Sequence, residues 1–119
     1  MPLTESDLPY TKTESGLEYR ALAEGEGDKP TADSVVTVHY TGCFKDGSEF
    51  DSSHSRGEPT TFPLGGVIPG WTEGVQLMAP GAKYQFVIPH QLAYGESGFG
   101  DVIPPKETLY FEIDLLEFQ

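Results

Sequence analysis

"ETLYFEIDLLEF", residues 107–118, alternates: Leu109, Phe111, Ile113 and Leu115 fall on one side, Tyr110, Glu112 and Asp114 on the other. Successive side chains of a strand point to opposite faces, so a period of two puts all four apolar groups together. This is the signature of an antiparallel sheet with one face buried. Outward along the chain, "SVVTVHYTG" (34–42) is rich in β-branched residues, with Val36, Val38 and Tyr40 on one face. "AKYQFVIP" (82–89) has the same strand character, and "GLEYRALAEG" places Leu17, Tyr19 and Ala21 on one side. Asp46-Gly47 is a tight-turn dipeptide, and "SEFDSS" (48–53) is the returning strand of its hairpin. "TTFPL" (60–64) is a short strand whose proline confines it to an edge or a bend.

One segment changes period. In "IPGWTEGVQLMAPG" (68–81), Trp71, Val75 and Met78 recur at i, i+4 and i+7, the spacing of one helix face. Pro69 suits a first helical turn and Pro80-Gly81 stops the element. The sum is an α+β domain: about five antiparallel strands with one short helix packed on their apolar face. Residues 1–16 are polar and aperiodic and are expected as an N-terminal arm, mobile or laid along a sheet edge. Residues 17–119 are expected to form a single domain.

The chain of 119 residues is 37% hydrophobic, with seven Phe, six Tyr and one Trp, enough for one core without disulfide or metal. Nineteen acids against seven bases give a net charge of −12. A phosphate backbone or an anionic lipid surface would be repelled, so no nucleic acid and no membrane partner is expected. The N-terminal stretch lacks the basic and apolar regions of a signal peptide, and no stretch approaches a transmembrane span. A cytoplasmic setting is the default expectation; a periplasmic one, or a fragment trimmed from a longer protein, would read alike.

Conventional chemistry finds little here. His39, His54 and His90 show no metal-ligand spacing, so no metal is expected. Ser53 and His54 are sequence neighbours whose side chains would point apart in an extended segment, which excludes a nucleophile–base pair there. "GESGFG" has glycines, but no lysine follows and no helix begins, so it is no phosphate loop. Cys43 has no neighbouring cation in sequence to activate it and is expected to be inert. No cofactor is implied.

What remains is a set of aromatic and aliphatic residues at the ends of elements: Tyr40, Phe50, Val67, Ile68, Trp71, Tyr94, Ile103 and Phe111. Element ends are where clefts are lined, so a binding cleft and a plain core stand as equal alternatives on spacing alone.

Taken in series, "VHYTG", "DGSEFDSS", "VIPGWTEGVQLM", "AYGESG" and "VIPPKETLYFEIDLL" resemble the FKBP family of peptidyl-prolyl cis–trans isomerases, from about residue 17 to the C-terminus. The resemblance implies a five- to six-stranded antiparallel sheet wrapped around one short helix. It implies a pocket floored by Trp71 and walled by Tyr40, Phe50 and Phe111, with Phe62 and Val67 also facing substrate. The backbone N–H of Ile68 and the hydroxyl of Tyr94 would donate to the bound prolyl ligand. Asp51 and Arg56 match the family's aspartate and arginine; Asp51 would either tune the site's field or anchor structure by pairing with Arg56. Residues 94–105 would form a flap carrying Phe99, Val102 and Ile103 as the upper lip, its backbone turning at Gly95, Gly98 and Gly100. Two positions depart from the best-known members: Thr60 stands where an aromatic is common, and Phe99 where histidine is frequent. Both change the rim, and with it the residue preference around the proline and the affinity for macrolides. The implied activity is isomerisation of X–Pro bonds in flexible chains, without covalent chemistry. The alternative is a module that binds proline peptides or macrolides of the tacrolimus and rapamycin type without accelerating rotation. A general chaperone is a third reading; with no room for a domain between Tyr94 and Pro104 and only a short stretch before the first strand, a monomer is expected.

Overall fold

The alternating C-terminal segment is the spine of the sheet. In the computed structural model, which describes residues 3–119, it forms a ten-residue strand, Leu109–Phe118, whose odd-numbered residues from Leu109 to Leu115 are buried. The strands in chain order are β1 (Thr11–Lys12), β2 (Glu18–Ala23), β3 (Val35–Cys43), β4 (Glu49–Ser52), β5 (Thr60–Pro63), β6 (Lys83–Ile88) and β7 (Leu109–Phe118). They make one antiparallel sheet in the order β1-β2-β6-β7-β3-β4, with β5 also on β3. β4 and β5 share one edge of β3: β4 takes Thr41–Cys43 and β5 takes Val35–Val38. The chain turns between them through α1 (Ser53–Arg56), a single helical turn capped by the Ser52 hydroxyl and closed by Gly57 in the left-handed region.

The sheet has seven strands against the five to six expected, and the addition is β1. Its two residues are exposed and pair with β2 through the backbone. β1 belongs to the polar arm, of which residues 1–2 lie outside the described residues. The rest of the arm lies on the sheet. Thr4 donates to the Glu112 carboxylate from its N–H at 2.8 Å, Gln85 Nε2 donates to the Thr4 carbonyl at 2.6 Å, and Arg20 reaches the Leu8 carbonyl at 2.9 Å. Gln85 is fully buried beneath it and also donates to Glu112, while Arg20 donates to its Oε1. A buried amide so partnered avoids the desolvation cost of an unpaired polar group.

The helix α2 (Pro69–Val75) starts at the expected proline and is shorter than the periodic stretch 68–81. After Val75 the backbone tightens into i to i+3 bonds, Leu77 N–H to Gly74 and Met78 N–H to Val75, which still leave Met78 fully buried. The helix sits close on β6 because two glycines face it. A Cβ at Gly70 would lie 2.5 Å from Ile88 and one at Gly74 2.6 Å from Phe86. That approach sinks Trp71, Val75 and Met78 into a core with Val36, Val38, Tyr40, Phe86, Phe111 and Ile113. Among the described residues no helix is long and apolar enough to cross a membrane.

Candidate functional site: an aromatic cleft

At the first turn of α2 the core opens. A cavity of about 470 Å³ is lined by Tyr40, Phe50, Asp51, Thr60, Phe62, Gly66, Val67, Ile68, Trp71, Tyr94 and Phe111. This is within the range of small-ligand pockets. Trp71 is held at its floor by three rings: Tyr40 and Phe111 meet it edge-on at 5.1 and 5.3 Å between centroids, and Phe62 is tilted at 5.4 Å. Phe50 meets Phe111 edge-on at 5.6 Å and is backed by Phe44 at 4.9 Å. Edge-to-face contacts of this kind fix ring orientation beyond what area burial alone supplies.

The polar groups at the cleft are few and mostly engaged. Tyr40 donates its hydroxyl proton to Asp51 Oδ2 at 2.6 Å. The Arg56 guanidinium donates to Asp51 Oδ1 at 2.8 Å, and to the Tyr40 hydroxyl and Thr60 Oγ1, each at 3.0 Å. Burial, reinforced by the hydrogen bond to Asp51, pushes the Tyr40 phenol above its usual range. The Arg56 pKa is likewise raised, first by its bond to Tyr40 and then by Asp51. The Asp51 carboxylate therefore has both oxygens taken by its own protein, although its side chain is 43% exposed. The Ile68 N–H and the Tyr94 hydroxyl are among the donors left open. Among the described residues nothing accepts from the Ile68 N–H, whose carbonyl instead receives Trp71 and Thr72 N–H at the helix start. The Tyr94 hydroxyl likewise has no partner among the described residues, and burial raises its pKa. Thr72 ties the helix to the preceding turn, Leu64–Gly66, by donating to the Leu64 carbonyl at 2.8 Å, which places Val67 and Ile68 at the rim.

Of the residues singled out from sequence, Tyr40, Phe50, Asp51, Phe62, Val67, Ile68, Trp71, Tyr94 and Phe111 converge on this cavity. Arg56 stands outside the lining, bound to it through Asp51, Tyr40 and Thr60. The flap residues divide. Phe99 and Val102 are 57% and 52% exposed, whereas Ile103 is 3% exposed and belongs to the core rather than to an exposed lip. Phe99 and Ile103 pair as an antiparallel bridge, and the Phe99 ring lies 5.1 Å from that of Tyr94. Gly95, Gly98 and Gly100 all have positive φ, so the turns they were expected to permit are present. Gly66 lines the cavity and was not anticipated; the Gly65-Gly66 pair before Val67 was its signal.

A second arrangement corrects an expectation. Ser53 lies not in an extended segment but at the start of α1, and its Oγ is 2.8 Å from Nδ1 of His39. His54 stacks on His39 with centroids 4.4 Å apart. Ser53 is fully buried and its Oγ accepts from the Tyr40 N–H at 2.7 Å, so this serine–histidine contact fastens α1 to β3 and offers no nucleophile to solvent. Cys43 is buried, and desolvation raises its thiol pKa. Among the described residues no three His, Cys, Asp or Glu side chains are grouped to hold a metal ion.

Comparison with known proteins points to one family. A family model described as FKBP-type peptidyl-prolyl cis-trans isomerase matches residues 26–116. The FKBP-type peptidyl-prolyl cis-trans isomerase FkpA of Aeromonas hydrophila is 56% identical over 107 residues, covering 90% of this chain and 40% of that protein. The FKBP-type 22 kDa peptidyl-prolyl cis-trans isomerase of Escherichia coli K12 is 55% identical over 105 residues, covering 88% of this chain and 51% of that protein. The crystal structure of FkpA from Escherichia coli superposes with a TM-score of 0.90 at 44% identity, covering 92% of this chain and 51% of that one. The chain thus spans about half the length, or less, of these relatives. With a family match across residues 26–116 and identities of 56% and 55% over aligned stretches that cover 90% and 88% of it, the chain belongs to the family of FKBP-type peptidyl-prolyl cis-trans isomerases.

Proposed function

We propose that this domain accelerates cis–trans rotation of X–Pro bonds in flexible polypeptides by taking the bond out of water. The observation that carries the reading is the cavity itself: an indole floor, phenyl walls, and unengaged donors at the rim, the Ile68 N–H and the Tyr94 hydroxyl among them. Rotation of a peptide bond faces a barrier of ~18–20 kcal/mol because it breaks amide resonance. An uncatalysed X–Pro bond takes tens to hundreds of seconds, a span set by the same barrier. The planar amide is dipolar and well solvated; the twisted form has lost that charge separation. Transfer into an apolar cleft raises the planar state more than the twisted one, which is differential stabilisation of the transition state. A reduction of ~5–7 kcal/mol gives ~10⁴–10⁵-fold.

In this reading the prolyl ring rests on Trp71 between Tyr40, Phe50 and Phe111, with Phe62 and Val67 beside it. The Ile68 N–H and the Tyr94 hydroxyl hold the acyl side while the prolyl side turns. Asp51, with both oxygens engaged, braces the Tyr40 wall directly through the phenol and again through Arg56, and no proton changes hands. Phe99 and Val102 meet the client residues flanking the proline, and Ile103 anchors the flap beneath them. Macrolides of the tacrolimus and rapamycin type would enter the same cleft, a monomer is the expected working state, and a cytoplasmic setting remains part of the proposal. Quenching of Trp71 fluorescence on macrolide addition and light scattering on the purified chain test the first two.

The activity test is exchange NMR on a short X–Pro peptide with wild type, Phe50→Ala and Tyr94→Phe. Acceleration by wild type that falls in both variants is expected. Binding without acceleration would convert the reading to a peptide-gripping module, and equal rates in all three would mean the cleft is not the site.

A further inference from the structure

Gly42 lies in the middle of the sheet, opposite Asp51 on β4 and Phe111 on β7. Its φ lies outside the left-handed region, so the backbone would accept any residue there. What the position lacks is room. A Cβ on Gly42 would stand 2.7 Å from Cε1 of Phe111, 2.7 Å from Cζ of Phe50 and 3.0 Å from Cε1 of Phe50. Carbon atoms pack best at about 3.5–4.0 Å, so each ring would have to retreat by about 1 Å. Phe50 is backed by Phe44, and Phe111 is boxed by Trp71 and Tyr40. The side left open to both rings is the cleft they line.

We propose that Gly42 is a positioning residue of this site: its missing side chain sets how deeply Phe50 and Phe111 seat, and hence the width of the prolyl cleft. The proposal rests on the isomerase reading above. It adds that a glycine outside the cavity, which touches no substrate, fixes the walls of a site whose effect depends on fit. A displacement of about 1 Å in a catalytic arrangement can cost about 10²-fold.

The test is a cycle of Gly42→Ala, Phe50→Leu and the double variant, read by kcat/KM on an X–Pro peptide and by aromatic NMR shifts. Leucine at position 50 removes Cζ and Cε1, two of the three clashing atoms. Gly42→Ala is expected to lose about 10–100-fold in the wild-type background. In the Phe50→Leu background the same change is expected to lose at least threefold less. Ring signals of Phe50 and Phe111 should move while those of Tyr84 and Phe86 stay. A global destabilisation would lower Tm without that selectivity. Equal losses in both backgrounds, or wild-type kcat/KM in Gly42→Ala, would overturn the proposal. Should Gly42→Ala fail to fold, the double variant decides: it folds with the Phe50→Leu rate if the clash is the cause, and an unfolded double variant overturns the idea. Wild type without any acceleration would sink the isomerase reading, and the ring shifts alone would then judge Gly42.

Discussion

Asp51→Asn separates bracing from chemistry. The substitution keeps the shape of the side chain and removes its charge. It weakens the 2.6 Å bond from Tyr40 and the 2.8 Å ion pair with Arg56. The ion-pair side chains are 45% and 43% exposed, so solvent screening makes that pair the minor contribution. The hydroxyl–carboxylate bond is charge-assisted but borders the same open cleft, and about 1 kcal/mol is a fair value for it. The expected loss of stability is therefore about 1 kcal/mol, set by the Tyr40 bond and seen as a urea midpoint lowered by roughly 0.5 M given usual slopes. If Asp51 only holds the Tyr40 wall and the cleft works by desolvation, kcat/KM should fall by less than about tenfold, or ~1.4 kcal/mol of barrier. General acid–base participation would instead cost ~10²–10⁴-fold. Exchange NMR for the rate and urea unfolding for the stability, on the same samples, decide the matter. A drop of more than about a hundredfold with an unchanged urea midpoint would refute the bracing role.

Two further expectations follow from burial and titration. Ile103→Ala should cost about 2–4 kcal/mol, because its side chain is a core group beneath the flap, while Phe99→Ala should stay within about 0.5 kcal/mol; urea midpoints of the two variants check this. The Tyr84 phenol is pushed up to about 12, first by burial and then by its 2.9 Å bond to Glu24. An unfolded tyrosine ionises near 10, so between pH 10 and 12 the folded chain holds a proton the unfolded chain has lost. Tyr84 should thus contribute on the order of 2 kcal/mol to a loss of stability as pH rises through that window, alongside the raised Tyr40 and Tyr94 phenols, and Tyr84→Phe should make the decline in alkaline melting curves shallower.

The sheet could be read from sequence because its strands are half-buried, and half-burial writes a period of two: Leu109, Phe111, Ile113 and Leu115 could occupy no other face. β1 could not be read, since Thr11 and Lys12 are both exposed and their pairing is purely main-chain. Neither could α1, a single turn too short to show a period. The helix was found from Trp71, Val75 and Met78, but its end was not, because a tight turn keeps Met78 on the same apolar side as a continuing helix would. At the cleft, the types of residue and their place at element ends pointed to a pocket, and the family resemblance assigned the members. What stayed hidden depends on three-dimensional neighbours. Thr60 looked like a lost aromatic, and it is also a hydrogen-bond partner of Arg56. Ser53 meets His39 across the sheet edge rather than its sequence neighbour. Ile103 and Val102 are adjacent in sequence, yet only one of them faces the core.

The central claim is that the bond turns because it is dried and held, with no proton in flight. The most direct measurement is kcat/KM for an X–Pro peptide in H₂O and in D₂O at matched pL, on the wild-type chain. The account predicts a ratio close to 1. A ratio of about 2 or more would place proton transfer in the transition state and contradict it.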